Sequence, residues 1–204
     1  MLSPKIFSQN LKMGVFADPI ITWLVTDADN IANDGVRMGA NIGLSVEKYF
    51  AEKYAFSTGV FISNCGGRLQ YSDTTTFNIS GENITISPNS IIKYKLQYVS
   101  IPIGLKLKSD EIGYTSFYAD LGMLPQINIK AIANGDSLSN ASINDDISLF
   151  NLSYYIGAGI EYSLGGKTSL TTGITYTNGF IDISTLDGYR ATTKSVSLRL
   201  GIIF

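Results

Sequence analysis

Five charged residues stand at alternate positions of strand-like segments and can act together if the fold places them on one face. They are Glu47, Lys106, Asp120, Glu161 and Arg199, with the hydroxyl groups of Tyr118 and Tyr155 beside them. Such a group can gate a passage or carry protons, or it can be a structural plug of ion pairs. We expect the structural role, because buried charges are costly unless they are paired.

The absence of histidine excludes more chemistry than any motif suggests. Ser-His and Cys-His nucleophiles and His-ligated metal sites all need an imidazole, so we predict no catalytic residue, cofactor or metal ion. Cys65 is the single cysteine and cannot close a disulfide within the chain. The acidic residues of the predicted loops lack calcium-loop spacing, and we interpret them as solvated charge; they are Asp27, Asp29, Asp34, Asp136, Asp145 and Asp146.

Length and charge narrow the class of protein further. The chain has 204 residues and a net charge of −2 without a Lys/Arg-rich run, which predicts one domain and argues against nucleic-acid binding. Its best apolar run, 101–107, is interrupted by Pro102, Gly104 and Lys106, so no helix is expected to span a membrane. Residues 1–10 lack the apolar stretch of a signal peptide, which leaves a cytoplasmic protein or a mature chain whose leader has been removed. We expect residues 1–8 to form a flexible segment.

Two-residue alternation of apolar and polar side chains predicts an all-β fold with eight long strands. We place the strands at 9–25, 36–50, 54–72, 91–108, 114–131, 148–164, 168–182 and 192–204. Their connections alternate between tight turns (51–53, 109–113 and 165–167) and longer polar loops (26–35, 73–90, 132–147 and 183–191). An up-and-down meander of this kind is typical of transmembrane β-barrels with short periplasmic turns and longer extracellular loops.

The two faces of these strands differ in a way that separates a membrane barrel from a soluble one. On six strands one face is apolar and free of charge, with Ile42, Leu105 and Ile156 as examples. The other face is rich in glycine and serine and carries the five charges. Glycine suits the crowded interior of an eight-stranded barrel and only weakens an exposed surface. We therefore predict that the polar face fills the lumen and that the apolar face meets lipid.

Aromatic residues near the strand ends are interpreted as girdles at the two membrane interfaces. At the short-turn end they are Tyr49, Phe50, Tyr54, Phe56, Tyr114, Tyr162 and Phe204. At the long-loop end they are Trp23, Tyr71, Tyr94, Tyr154, Tyr176 and Phe180.

Two segments carry a resemblance to a known family. The stretch YVSIPIGLKLK (98–108) resembles a strand motif of the PorT-like outer-membrane β-barrels of Bacteroidota, which are similar to OmpX and the OmpA transmembrane domain. The final stretch SVSLRLGIIF resembles the outer-membrane insertion signal, with Leu198, Leu200, Ile202 and the terminal aromatic Phe204. The resemblance implies an outer-membrane location, a removed signal peptide and insertion by the barrel-assembly machinery.

The expected function is a non-enzymatic, monomeric outer-membrane barrel with a filled lumen. Its partners would be outer-membrane lipid, lipopolysaccharide and an unknown extracellular molecule that contacts the loops. A soluble lipocalin-like carrier of small ligands and an accessory of protein secretion remain alternatives. A membrane enzyme is disfavoured by the missing histidine, and a diffusion pore by the small lumen of eight strands.

Overall fold

The structure is a computed structural model, and it describes residues 11–79, 82–135, 138–185 and 189–204. The segment 1–8, expected to be flexible, lies outside the described residues. Within the described ranges the chain forms these strands: β1 (Leu11–Thr26), β2 (Ile31–Gly35), β3 (Arg37–Ala51), β4 (Tyr54–Tyr71), β5 (Thr75–Ile79), β6 (Glu82–Ile86), β7 (Ser90–Ser100), β8 (Ile103–Lys108), β9 (Thr115–Gly135), β10 (Leu138–Ser142), β11 (Phe150–Gly165), β12 (Thr168–Gly179) and β13 (Ala191–Ile203). Over these same ranges, no helix combines the length and apolar character of a membrane span.

The long strands form a closed antiparallel ring, which confirms the all-β barrel. Around the ring the strands follow in chain order: β1, β3, β4, then β7 and β8 sharing one position, then β9, β11, β12 and β13. The last strand pairs with the first from Gly14↔Ile203 to Thr26↔Ala191, so the sheet has no open edge along this seam. The eight predicted strands correspond to these eight positions in the ring.

β7 and β8 are two parts of one ring strand, separated at Pro102. The proline lacks the N–H that a central strand donates to its neighbour. The pairing with β9 nevertheless continues unchanged, from Ser100↔Gln126 to Ile103↔Met123, and the Ile101 N–H donates to the Pro125 carbonyl at 3.0 Å. The interruption therefore costs hydrogen bonds but does not shift the side chains to the other face.

Three of the long loops contain strands that the sequence analysis assigned to irregular structure. β2 pairs with β4, β10 pairs with β9, and β5 and β6 form a separate hairpin. The prediction of polar loops was wrong on this point, because Asn- and Ser-rich composition concealed short alternating runs such as 75–79. β9 also continues to Gly135, beyond the predicted end at 131.

The side chains of the ring point as the membrane interpretation requires. Ile42, Leu105 and Ile156 are 57%, 40% and 56% exposed on the outer surface, whereas Glu47 and Lys106 are only 3% and 5% exposed inside. This arrangement exposes a continuous apolar belt around the molecule. Such a surface is unfavourable in water and is typical of a β-barrel in a lipid bilayer.

Toward the long loops the interior changes from polar to apolar. Leu24, Leu69, Ile92, Leu96 and Tyr98 point inward from the ring. Buried side chains from the long loops pack on them: Ile31, Ile86, Leu138, Ile143, Ile147 and Ile183. We call the whole cluster the loop-end core. It covers the polar lumen on one side, and it gives the loop end the hydrophobic interior of a water-soluble protein.

Candidate functional site

The charged side chains of the lumen form two clusters, of which the first lies near the short turns. Lys106 on β8 donates to Glu47 on β3 at 2.6 Å and to Glu161 on β11. The second carboxylate oxygen of Glu161 accepts a hydrogen bond from Lys108 at 2.6 Å. We call Glu47, Lys106, Lys108 and Glu161 the inner charge cluster. Its charges balance, with two carboxylates and two ammonium groups, so the ion pairs offset the cost of burial.

Two tyrosines border the inner charge cluster. The Tyr49 hydroxyl donates to Glu47 Oε2 at 3.0 Å, and the Lys12 ammonium lies 5.3 Å from the centre of the Tyr49 ring. The assignment of Tyr49 to the membrane interface was therefore wrong: its side chain shares the inward face of Glu47, two residues away. On the other side, the Lys106 ammonium lies 4.6 Å from the centre of the Tyr118 ring. These ring faces add favourable contacts to the buried cations.

The second cluster lies deeper in the barrel and is centred on Arg199 of β13. Its guanidinium donates to Asp120 Oδ2 at 3.0 Å and approaches Asp18 Oδ2 at 3.7 Å. The same cation stacks on the rings of Phe16 and Phe61, at 4.4 and 5.8 Å from their centres. We call Asp18, Asp120 and Arg199 the middle charge cluster. Its second carboxylate is further stabilised because Asp18 Oδ1 accepts the Leu200 N–H at 3.0 Å.

Glycines on the inner wall make room for the tyrosine hydroxyls. A Cβ atom at Gly104 would lie 2.2 Å from the Tyr155 hydroxyl oxygen, and one at Gly173 would lie 2.4 Å from that of Tyr118. Both distances are far below a van der Waals contact. The tyrosine side chains of β9 and β11 therefore reach across the lumen into space that glycines two strands away leave free, which explains the glycine content of this face.

Between the charges and the loop-end core, the lumen is lined by uncharged polar groups. Ser63 and Ser100 share a hydrogen bond at 2.8 Å, Gln126 donates to Ser100 at 2.8 Å, and Asn151 donates to Gln126 at 2.9 Å. This zone contains cavities of about 60 Å³ and about 40 Å³. They are large enough for a few water molecules and too small for an organic substrate.

The structure thus brings together all five charged residues that the sequence singled out and adds three that it missed. Asp18 was missed because the inward positions of β1 alternate between apolar and polar side chains, so this strand did not sort by face. Lys108 and Lys12 follow the inward parity of Lys106 and Phe16, and that parity was the available signal. In the part of the chain that the structure describes, no group of three or more Cys, Asp and Glu side chains has the arrangement of a metal site.

The remaining aromatic residues at the short-turn end lie on the outer surface. Phe50, Tyr54 and Phe56 form one group, with ring centres 6.2 and 4.8 Å apart, and Tyr114 and Tyr162 form another at 6.2 Å. Phe204 is also exposed. The residues of the insertion motif, Leu198, Leu200 and Ile202, face outward on β13.

At the long-loop end the aromatic residues divide between the two faces. Tyr154 and Phe180 pack together on the outside, with ring centres 5.1 Å apart, while Trp23 and Tyr176 are half-buried. Tyr71 and Tyr94 are buried in the loop-end core, with hydroxyl oxygens 2.6 Å apart. Their assignment to a girdle was wrong, because side chains that point inward near the long loops pack in the loop-end core.

A closed ring with an apolar outer belt and paired charges inside is an integral membrane β-barrel. The sequence matches the model of the outer membrane protein beta-barrel domain over residues 7–185, and the chain belongs to this family. The protein is therefore located in the outer membrane, as predicted. The short turns then face the periplasm and the long loops face the exterior.

Solved structures show the same fold at low sequence identity. Neisserial surface protein A is 13% identical with a TM-score of 0.53, and the alignment covers 94% of this chain and 95% of that one. OprG from Pseudomonas aeruginosa is 10% identical with a TM-score of 0.50, covering 95% and 94% of the two chains. A search of curated protein sequences found no match. These structures share the barrel fold with this chain.

Proposed function

We propose that this protein is a non-enzymatic, monomeric outer-membrane barrel that acts through its external surface. The observation that carries the proposal is the state of the lumen: the side chains of the inner and middle charge clusters form ion pairs with one another, and the loop-end core covers them on the external side. Lys106 forms ion pairs with two carboxylates and Arg199 with two others, so in the folded barrel these cations already have protein partners. The long loops, with the strands β2, β5, β6 and β10 that they contain, face the exterior, which suits contact with other molecules or a role in envelope integrity.

The test compares lumenal and loop variants in cells that lack the natural protein. Envelope integrity is measured as uptake of a hydrophobic fluorescent dye, and complementation with the natural chain sets the reference. We expect Glu161→Gln to restore the reference phenotype whenever the variant reaches the outer membrane, which is checked by heat-modifiable gel mobility. Replacement of the hairpin β5–β6 by a two-residue turn should fail to restore it. The opposite result, with a folded lumenal variant inactive and the trimmed variant active, would favour a gate or proton path.

We propose that insertion uses the barrel-assembly machinery. The terminal strand supports this proposal, because Leu198, Leu200, Ile202 and Phe204 form an outward apolar row that ends at an aromatic residue. Replacing Phe204 with Ser should lower the amount of folded barrel in the outer membrane without changing its stability after refolding in detergent. The finer resemblance to PorT-like barrels, and with it a role in protein secretion, stays a prediction.

A further inference from the structure

A buried carboxylate oxygen beside the loop-end core has no hydrogen-bond partner. It belongs to Asp146, the last residue of a short 3-10 helix (Asn144–Asp146), which is only 7% exposed and whose Oδ2 atom is unpaired. Among the described residues, no Lys or Arg side chain forms an ion pair with this carboxylate. A buried charge is costly unless it is paired, so this group calls for a proton or for a partner from outside the chain.

Asp146 borders a small cavity among the long loops. The cavity has a volume of about 10 Å³, which is the space of a single water-sized particle. Its wall also includes Tyr94, Ser184 and Tyr189, together with apolar side chains such as Ile147. Ser184 and Tyr189 are half-buried, so the cavity lies close to the surface of the loops.

Two of the tyrosines that meet in this region border the cavity. The hydroxyl oxygens of Tyr94 and Tyr189 lie 2.6 and 3.1 Å from that of Tyr71, so the three hydroxyls form one polar group. Burial raises the pKa of Tyr94, and the Asp146 carboxylate adds to this rise, so the two groups interact through space. The Asp146 Oδ2 atom nevertheless accepts no hydrogen bond from the hydroxyls. Polar groups separated in this way are commonly bridged by a water molecule or an ion.

The charge of Asp146 favours a cation over water as the bridging particle. A water molecule would leave the ionised carboxylate without a counter-charge, and the exposed neighbour Asp145 adds to the negative potential. A single carboxylate supplies one negative charge, which a monovalent ion neutralises. Calcium typically takes about six to eight oxygen ligands, which is more than a cavity of this size with one carboxylate provides.

We propose that the cavity beside Asp146 binds a small monovalent cation, such as Na⁺ or K⁺, from the external medium. The bound ion connects the loop before β11, which contains Asp146, with the loop before β13, which contains Tyr189. These loops already meet where the Thr185 N–H donates to the Asp146 carbonyl oxygen at 3.0 Å. The cation in the medium therefore stabilises the loops that cover the lumen. The proposal is independent of what the loops contact.

The sequence analysis predicted no metal ion, and this site has no sequence motif that could have indicated one. Its oxygen atoms come from separate parts of the chain: Asp146 precedes β11, Tyr94 lies on β7 and Tyr189 precedes β13. Only the packing of the loops on the ring brings them to one cavity.

The first experiment measures binding by ²³Na NMR of the refolded barrel in an uncharged detergent at pH 8. We expect the natural chain to broaden the sodium signal, K⁺ to reverse the broadening, and choline to leave it unchanged because choline is too large for the cavity. Asp146→Asn should lose most of the broadening. The control Asp145→Asn removes the same charge from the adjacent exposed residue and should keep it. Heat-modifiable gel mobility shows that each barrel is folded.

The second experiment compares limited proteolysis of the loops in equal concentrations of NaCl and choline chloride at pH 8. With sodium at about ten times its Kd, the natural chain should be cleaved about tenfold more slowly in NaCl, because the cation binds only the closed loops. The destabilising effect of ionised Asp146 is therefore greatest in choline chloride. Asp146→Asn should be cleaved at the same rate in both salts, and Asp145→Asn should behave like the natural chain.

Three results would overturn the proposal. The first is equal broadening of the sodium signal by the Asp146→Asn and Asp145→Asn variants. The second is displacement of sodium by choline, which would indicate a diffuse layer of counter-ions. The third is cleavage of the natural chain at the same rate in both salts, which would indicate a water molecule or a proton at this carboxylate.

Discussion

At the scale of single residues, the lumen is stabilised by two clusters of ion-paired side chains and by glycines that leave room for large side chains. Glu161 contacts Lys106 and Lys108, each from β8. Gly173 on β12 and Gly159 on β11 leave room for the Tyr118 hydroxyl. Both features are compensations for packing polar groups inside an eight-stranded barrel, where little space remains between the side chains.

Removing one carboxylate from the inner charge cluster should destabilise the barrel. Glu161→Gln leaves Lys108 unpaired and Lys106 with Glu47 alone, and the loss of a buried ion-pair partner costs about 3 kcal/mol. Urea unfolding in lipid vesicles, followed by gel mobility and by the fluorescence of Trp23, measures the effect. The exposed turn residue Glu52 provides the control as Glu52→Gln. Equal unfolding midpoints for both variants would show that the cluster does not stabilise the fold.

Filling the space beside Tyr118 should also be costly. A Cβ atom at Gly173 lies 2.4 Å from the Tyr118 hydroxyl and 2.6 Å from the Ala158 carbonyl oxygen, so Gly173→Ala forces both to move. Overpacking of this kind costs about 1–3 kcal/mol. At Gly179 the nearest atom is 3.2 Å from the added Cβ, a much milder contact, so Gly179→Ala should cost clearly less than Gly173→Ala in the same urea experiment. A Gly173 variant as stable as the Gly179 variant would contradict this account of the inner wall.

The alternation of side chains along a strand predicted correctly which residues point into the lumen. The distance of a residue from the strand end predicted poorly which aromatic side chains lie at a membrane interface. Glu47, Lys106, Asp120, Glu161 and Arg199 were assigned by alternation, and each lies inside the ring. Tyr49, Tyr71 and Tyr94 were assigned to the interfaces because they stand near strand ends, although alternation places each of them on the inward face. Contacts between side chains on different strands, such as that of Glu161 with Lys108, depend on the pairing register, which alternation within one strand does not contain.

At the scale of elements, the long strands have two parts with opposite requirements. In the membrane they are apolar outside and polar inside; beyond it, β4, β7 and β9 carry charges outside and contribute Leu69, Ile92 and Ala131, respectively, to the loop-end core. The sequence gives no sharp sign of this change, since both parts alternate with the same period of two. Isolated apolar residues in the polar loops, Ile143, Ile147 and Ile183, were the available signal of a second core.

The buried carboxyl group of Asp146 should destabilise the loop-end core when it is ionised at neutral pH. The residue is buried, its Oδ2 atom has no hydrogen-bond partner, and burial raises the pKa of its carboxyl group. Because the folded state favours the protonated form, the loops should become less stable as the pH rises above about 4, the ordinary Asp pKa. Asp146→Asn should remove this dependence and protect the loops at neutral pH.

Limited proteolysis of the refolded barrel between pH 4.5 and pH 8 measures this effect, with cleavage rates corrected for protease activity on an unfolded substrate. The exposed loop residue Asp29 provides the control as Asp29→Asn, which should keep the pH dependence of the natural chain. If the natural chain and Asp146→Asn are cleaved with the same pH dependence, Asp146 does not limit the stability of the loops.

At the scale of the whole molecule, the fold follows from two features of the sequence. Long alternating strands joined by short turns and long loops predict an up-and-down ring, and the contrast between a glycine-rich face and a charge-free apolar face predicts which side meets lipid. The closing of the ring between β1 and β13 was implied by the even number of strands. The hairpin β5–β6 and the strands β2 and β10 were not predicted, because short polar strands differ little from loops in composition.

The apolar side chains on the outside of the ring should contact lipid. Methyl NMR of isoleucine residues tests it without any substitution, using the barrel in lipid nanodiscs that contain a nitroxide-labelled fatty acid. We expect the methyl signals of Ile42, Ile156 and Ile174 to be strongly broadened and those of Ile20, Ile92 and Ile143 to remain sharp. Sharp signals for Ile42, Ile156 and Ile174 together with broadened signals for the inward group would contradict it.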